Sequence, residues 1–336
     1  GTNIDNAGKI YIGENSVGLY NKDGNSISNS GSIESIDLRV IGLYLDGNSN
    51  SIGVNTGEIK LLGDKSIGIY ISENGTKTIN NTNRIEIGSS NLAEDPSIGI
   101  FNNNINGTVN NSSDIISGKN SINIYNKGGQ INHLLGNIEV GEKGTGIYTS
   151  SGSVKLTSGT LNLNGIAAVG VYGTNNAIID INAKINVSQE SYGMVLIGES
   201  DLTNRDVSTL GDKGVLLYSD GNVNVKNEYG ANINVAGSNS IGFYMKNGGT
   251  LVNKAEIIGN SGIGNIGIYN KSGNIDNSGN IKIGNSLIID PQNPFVNEYA
   301  VGIYGDGVKN IKNTGNIEVG ANAVGFYITG NLNEAL

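Results

Sequence analysis

The chain has 336 residues, no cysteine, and a formal net charge of −9 from 30 acidic and 21 basic residues. The missing cysteine excludes disulfide staples, thiolate metal sites and cysteine nucleophiles. Only three arginines occur (Arg39, Arg84, Arg205), with no basic stripe, so the electrostatic footprint of a nucleic-acid binder is missing.

Taken in order, the chain keeps rewriting one pattern, small–aliphatic–Gly–aliphatic–Tyr. It opens as Ser16-Val17-Gly18-Leu19-Tyr20 and returns as Val40-Ile41-Gly42-Leu43-Tyr44 and Ser66-Ile67-Gly68-Ile69-Tyr70. Later copies end at Tyr244, Tyr269, Tyr304 and Tyr327, and weaker ones at Phe101, Tyr125, Tyr148, Tyr172, Val195 and Tyr218. Eleven of the 15 tyrosines occupy the last slot of the thirteen copies. Consecutive copies lie 23 to 26 residues apart, with two overlong intervals of 31 and 35. A fixed period in the twenties marks a stacked array rather than a globular domain.

A second signature precedes each copy: aliphatic-x-Asn-x-Gly-x-Ile-x-aliphatic-Gly, first as Ile4 to Gly13 and last in full as Ile311 to Gly320. These runs alternate apolar and polar residues at period two, the strand signal, and no stretch holds a 3.6 period over two turns. The glycine, asparagine and serine content would suit disorder, but a disordered tract does not place its aliphatic residues in register. One repeat holds three short strands and cannot bury its apolar side alone, so it must coil onto the next. The expected fold is all-β: a right-handed parallel β-helix of about 13 rungs, three strands per rung, forming a single segment over 1–336.

Within that frame Ile33, Ile59, Ile85, Ile115, Ile138, Ile257, Ile281 and Ile317 are expected in the core. Asn6, Asn29, Asn55, Asn81, Asn111, Asn253, Asn277 and Asn313 share one slot and are expected to bond rung to rung as an amide ladder. His133, Leu156 and Ile181 fall near that slot. Gly8, Gly31, Gly57, Gly279 and Gly315 are expected at positive φ, with Asn83 substituting because asparagine tolerates it. All three prolines (Pro96, Pro291, Pro294) fall in the overlong repeats, which should leave the rungs as loops near 89–97 and 286–298. Residues 199–213 read as a third excursion. The chain opens inside one rung signature and stops soon after Tyr327, so more rungs are expected to flank it.

Asn-Ser-Gly-x-Ile turns alternating with Gly-Ile-Tyr, and Asn-Lys-x-Gly after the tyrosine (Asn21 to Gly24, Asn126 to Gly129), give the chain a resemblance. It resembles the passenger domains of type V autotransporters, and among them the large fusobacterial adhesins of the RadD and galactose-binding adhesin kind. The resemblance implies a location on the bacterial cell surface, or secretion from it. It further implies attachment to a protein or glycan of other bacteria or host cells, with the membrane reached only through a C-terminal β-barrel not in this sequence. A non-catalytic monomer without cofactor or metal is expected. Candidate binding residues lie in the loops: Asn91, Glu94 and Asp95; Asp201, Arg205 and Asp206; Asp290, Gln292, Asn293 and Phe295. An aromatic stripe of Tyr20, Tyr44, Tyr70, Tyr244, Tyr269, Tyr304 and Tyr327 could bind sugars, or could serve only to stack rung on rung.

Two other classes compete. A purely structural stalk would present a distal tip. A polysaccharide lyase or glycosidase would need clustered carboxylates; Glu86, Glu139 and Glu318 share a slot but are separated by other residues in the intervening copies. The calcium-binding nonapeptide is missing, and His133 is the lone histidine.

Overall fold

The computed structural model describes residues 2–330 and divides into two compact units, residues 1–173 and 174–336. Each unit is a parallel β-solenoid with three strands per rung. Among the described residues the first holds seven rungs and the second six. The third rung shows the plan: Ser51–Asn55 in the first sheet, Ile59–Leu61 in the second, Ile67–Ile71 in the third. Each strand pairs in parallel with its counterparts on adjacent rungs, as Ile59 does with Ile33 and Ile85. Among the described residues the only helical element is a single 3-10 turn, Pro294–Val296.

The core is the expected aliphatic column. Ile33, Ile59, Ile85, Ile115, Ile138, Ile257 and Ile281 are wholly buried, each contributing about 1.5–3 kcal/mol. Ile317 is only half-buried, because its strand has a neighbouring rung on one side alone among the described residues.

The signature glycines are needed for a different reason from the one expected. Gly8, Gly31, Gly57, Gly279 and Gly315 do not have positive φ, nor does Asn83. A Cβ on Gly31 would come within 1.8 Å of the Gly8 carbonyl oxygen, and one on Gly57 within 1.7 Å of the Gly31 carbonyl oxygen. Close stacking of backbone on backbone therefore excludes a side chain there. Asn83 instead donates from Nδ2 to the Thr56 carbonyl (2.8 Å) and accepts from the Arg84 N–H (2.7 Å).

Positive φ falls at the corner before the third strand. Asn15, Arg39, Lys65, Asn120, Lys143 and Ala167 in the first unit, and Glu190, Lys213, Asn239 and Asn322 in the second, all have φ between 53° and 57°. At Arg39 the N–H donates to the next rung, to Asp64 O (2.9 Å). Asn15, Asn120, Lys143, Glu190, Lys213 and Asn239 make the same contact, which holds a conformation that costs an L-residue about 1–2 kcal/mol. In the third strand the period-two alternation slips at the glycine. Ile67 and Tyr70 are half-buried on the outer side, while Gly68, Ile69 and Ile71 are buried; a Cβ on Gly68 would lie 3.1 Å from Ile85 Cγ2. The two aliphatic residues of the repeated pattern therefore differ, Ile67 half-buried and Ile69 buried. After the tyrosine, the Asn-Lys-x-Gly stretch is a side-chain-capped turn: Asn21 Oδ1 accepts from Gly24 N (2.8 Å) and Asn126 Oδ1 from Gly129 N (3.1 Å).

The asparagine ladder is present and directional. Each Nδ2 donates to the Oδ1 of the next rung, from Asn6 through Asn29, Asn55 and Asn81 to Asn111, at 2.6–2.8 Å. It ends on His133. In the second unit it runs Asn204, Asn227, Asn253, Asn277, Asn313, at 2.6–2.8 Å. Residues 199–213 are therefore no excursion. Ser200–Asn204 and Ser208–Leu210 are strands of a regular rung, in which Leu202 and Asn204 keep the aliphatic-x-Asn spacing and Asp206 takes the glycine slot. Asn204 pairs in register with Ile181, which offers no donor, and its Oδ1 is left without a partner.

Candidate functional site

The two overlong rungs depart at the same corner of the repeat, where other rungs place their left-handed residue. Pro96 precedes Ser97 and Tyr299 precedes Ala300 at that position. Proline cannot take positive φ, so at Pro96 the left-handed corner is lost; Tyr299 has no positive φ either.

The loop at 89–97, in the first unit, is polar and pinned to the rung before it. Asp64 accepts from the Ser90 hydroxyl (2.7 Å), the Asn91 N–H (3.2 Å) and Asn91 Nδ2 (2.7 Å). These bonds, the Ser90 hydroxyl foremost, hold the Asp64 carboxyl below its ordinary range. Lys65 pairs with Asp95 at 2.6 Å. Of the residues singled out here, Asn91 and Asp95 are therefore engaged in holding the loop, while Glu94 is exposed.

The loop at 286–299, in the second unit, braces itself. An antiparallel bridge between Leu287 and Glu298 closes its neck. Asn297 Oδ1 accepts from the Ile289 N–H (2.8 Å) and Asp290 N–H (3.0 Å), and its Nδ2 donates to the Asp290 carbonyl and to the Tyr299 hydroxyl (both 3.0 Å). Asp290 Oδ1 accepts from Gln292 N (2.9 Å), and Asn293 Oδ1 caps the 3-10 turn at Phe295 N (3.3 Å). With the side chains of Asp290, Asn293 and Asn297 bent back onto the loop backbone, the outer surface is mainly apolar, with Gln292 the exposed polar exception. Phe295 is 95% exposed and Ile289 60%, beside exposed Leu287, Val296 and Tyr299. Sequence reading picked out Phe295 but missed Ile289, Val296 and Tyr299. Their signal was the apolar content of an insertion that should have been polar.

Asp201, Arg205 and Asp206 lie on the regular ninth rung. Asp201 accepts from Asn224 Nδ2 (3.1 Å), Arg205 pairs with Asp180 (2.7 Å), and Asp206 accepts from the Val207 N–H (2.7 Å). The structure does not gather these three into a pocket.

No protein-family profile, curated protein or solved structure matches this chain.

The tyrosines form a column in each unit. Tyr20, Tyr44, Tyr70, Phe101, Tyr125, Tyr148 and Tyr172 stack with ring centroids 4.6–5.5 Å apart. In the second unit Val195 takes the slot, and Tyr192 packs on Tyr218 at 6.2 Å instead. The column then continues through Tyr244, Tyr269, Tyr304 and Tyr327 at 4.7–5.4 Å. Ring contacts of this kind contribute about 0.5–1.5 kcal/mol each beyond area burial. They also cover part of the ring surface a sugar would need, although Tyr20 and Tyr327 stay exposed. Burial raises the phenol pKa of Tyr44, Tyr125 and Tyr269, while a hydrogen bond to Asp46 (2.7 Å) pushes Tyr20 up to about 12.

A shallow cleft of about 320 Å³ lies on the first unit between Tyr11, Glu34, Ile36, Lys60 and Leu62. Among the described residues no group of three or more histidines and carboxylates is placed to hold a metal ion.

Proposed function

We propose that this chain is a segment of a bacterial cell-surface adhesin of the autotransporter-passenger type. In this reading it is non-catalytic and attaches through a loop carried on a stiff β-solenoid. The observation that carries the reading is the 286–299 loop, whose Asp290, Asn293 and Asn297 side chains are engaged internally and whose apolar side chains are exposed to solvent. An ordered loop bearing Phe295, Ile289 and Tyr299 outward is the sort of anchor that fills a partner's pocket. The rungs beneath supply rigidity, which lowers the ordering cost of binding. The partner belongs to the surface of another bacterium or a host cell, and export through a C-terminal β-barrel follows from the sequence resemblance.

A second reading, a stalk without its own ligand, is favoured by the covered tyrosine column and the pinned first loop, both of which serve rigidity. One experiment separates the two. The purified chain is screened against bacterial cells, host cells and glycans, beside a version with residues 289–297 replaced by a two-residue turn. Binding by the intact chain alone is the expected result. Equal binding by both would move the site off this loop. No binding by a chain with a folded β spectrum would favour the stalk.

A further inference from the structure

We propose that His133 is an acid-sensitive terminator of the asparagine ladder in the first unit. A proton taken up at Nδ1 sets two donors against each other and opens the ladder at the sixth rung. The geometry fixes the roles of both ring nitrogens. Nδ1 lies 2.8 Å from Asn111 Nδ2, and Nε2 lies 3.0 Å from the Gly136 carbonyl oxygen. A carbonyl can only accept, so Nε2 carries the proton and Nδ1 is the bare acceptor. In this tautomer His133 copies a ladder asparagine: it accepts from the rung before and donates to a carbonyl of its own turn, as Asn81 does to Asn83 O (2.8 Å).

Asn111 has no freedom to adapt. Its Oδ1 accepts from Asn81 Nδ2 (2.6 Å), and its Nδ2 also donates to the Ser113 carbonyl (2.6 Å). Rotating the amide to offer oxygen to an imidazolium would break both bonds. His133 is 1% exposed, and on the following rung it pairs in register with buried Leu156, which offers it no hydrogen bond.

The charged groups on the packed elements do not compensate. Asp114, in the turn of the preceding rung, accepts from the Asn137 N–H (2.7 Å). Glu139, on the second strand of the same rung, is held by Asn162 Nδ2 (2.7 Å) and Asn164 Nδ2 (2.6 Å). Lys155, on the following rung, is exposed at an outward strand position. Burial accordingly holds the His133 pKa below its ordinary value, against the upward pull of the Gly136 bond and of Asp114.

The folded pKa is lowered, so the unfolded chain binds the proton first. Stability from this group is full above the unfolded value of about 6.5 and falls as pH drops below it, down to the folded pKa.

The test uses the whole 336-residue chain, in which His133 is the sole histidine, so its ring signals in nuclear magnetic resonance are unambiguous. The neutral Nε2–H tautomer is expected at pH 7.5. Between pH 7 and 5 the melting temperature should fall at least about 2 °C more in the native chain than in His133→Asn, which restores a ladder amide without a titrating proton. If His133→Asn does not fold, His133→Leu serves: it should melt lower at neutral pH but lack the His133-dependent fall. An Nδ1–H tautomer at neutral pH would overturn the proposal. So would ring titration near 6.5 with the Asn111 amide signals unmoved, or the same pH trend in native chain and variants.

Discussion

The two insertions leave the rung at equivalent corners yet are built in opposite ways. The loop at 89–97 is tied down from outside: Asp64 and Lys65 of the preceding rung hold Ser90, Asn91 and Asp95. The loop at 286–299 is tied from within, through Asn297 and the Leu287–Glu298 bridge. A loop held by its scaffold turns its polar groups toward that scaffold and has little left to offer a partner. A loop held by its own amide can turn its apolar residues outward, as Phe295 and Ile289 do. The comparison teaches that sequence position alone does not mark a loop that presents an apolar surface; the direction of its hydrogen bonds does.

The largest effect should come from removing the support both loops share. Ile85 and Ile281 sit in the second-sheet strands just before the two insertions and are wholly buried. Ile85→Asn or Ile281→Asn places an unpaired amide in the aliphatic column and should cost several kcal/mol, about 3 or more, read by chemical denaturation. Unchanged midpoints would mean that these isoleucines are not interior.

Next in size, Asn297→Ala should loosen the second loop alone. Losing its four hydrogen bonds should cost about 1–3 kcal/mol of local stability, seen as faster proteolysis or amide exchange within 286–299 while the global midpoint holds. Loosening of 89–97 in the same variant would break the contrast.

Acid should do the reverse. The Asp64 carboxyl has a lowered pKa, so its contribution is present above the unfolded value of about 3.9 and is lost as pH falls through the lower folded value. Amide protection at residues 89–97 should therefore hold steady from pH 7 to about 5 and decline toward pH 3. Asp64→Asn should remove that trend.

The smallest effect belongs to a corner without a loop. Ala167 has φ 56°, and Ala167→Gly should raise stability by about 0.5–1 kcal/mol, measured by denaturation.

Much of this architecture was legible in the sequence, because an additive array writes the same physics in every repeat. The buried isoleucines, the asparagine slot and both proline-bearing insertions follow from spacing alone. What stayed hidden depends on contacts between rungs. Gly31 and Gly57 are required by the carbonyl stacked against each of them, a constraint no single repeat displays. The left-handed corner is filled by Lys65, Glu190 and Ala167 as readily as by Asn15, so residue type gives no sign of its φ. Asn204 was overlooked because Asp206 and Ser208 stand where glycine and isoleucine were expected, although Leu202-x-Asn204 keeps the spacing, and Asn227 because Tyr229 and Ala231 stand in those slots. In the candidate site, Phe295 was legible as an aromatic in an insertion. The inward turn of Asn297, which leaves Phe295 facing solvent, was not.

Attachment through the second loop, as proposed, is tested most directly by a binding titration. Whichever cell or immobilised surface component the intact chain binds is titrated with the native chain and with Phe295→Ala. Phe295 makes no core contact to lose, so its removal should leave the melting temperature unchanged while affinity falls about tenfold or more. Equal affinity for the two proteins would contradict the account.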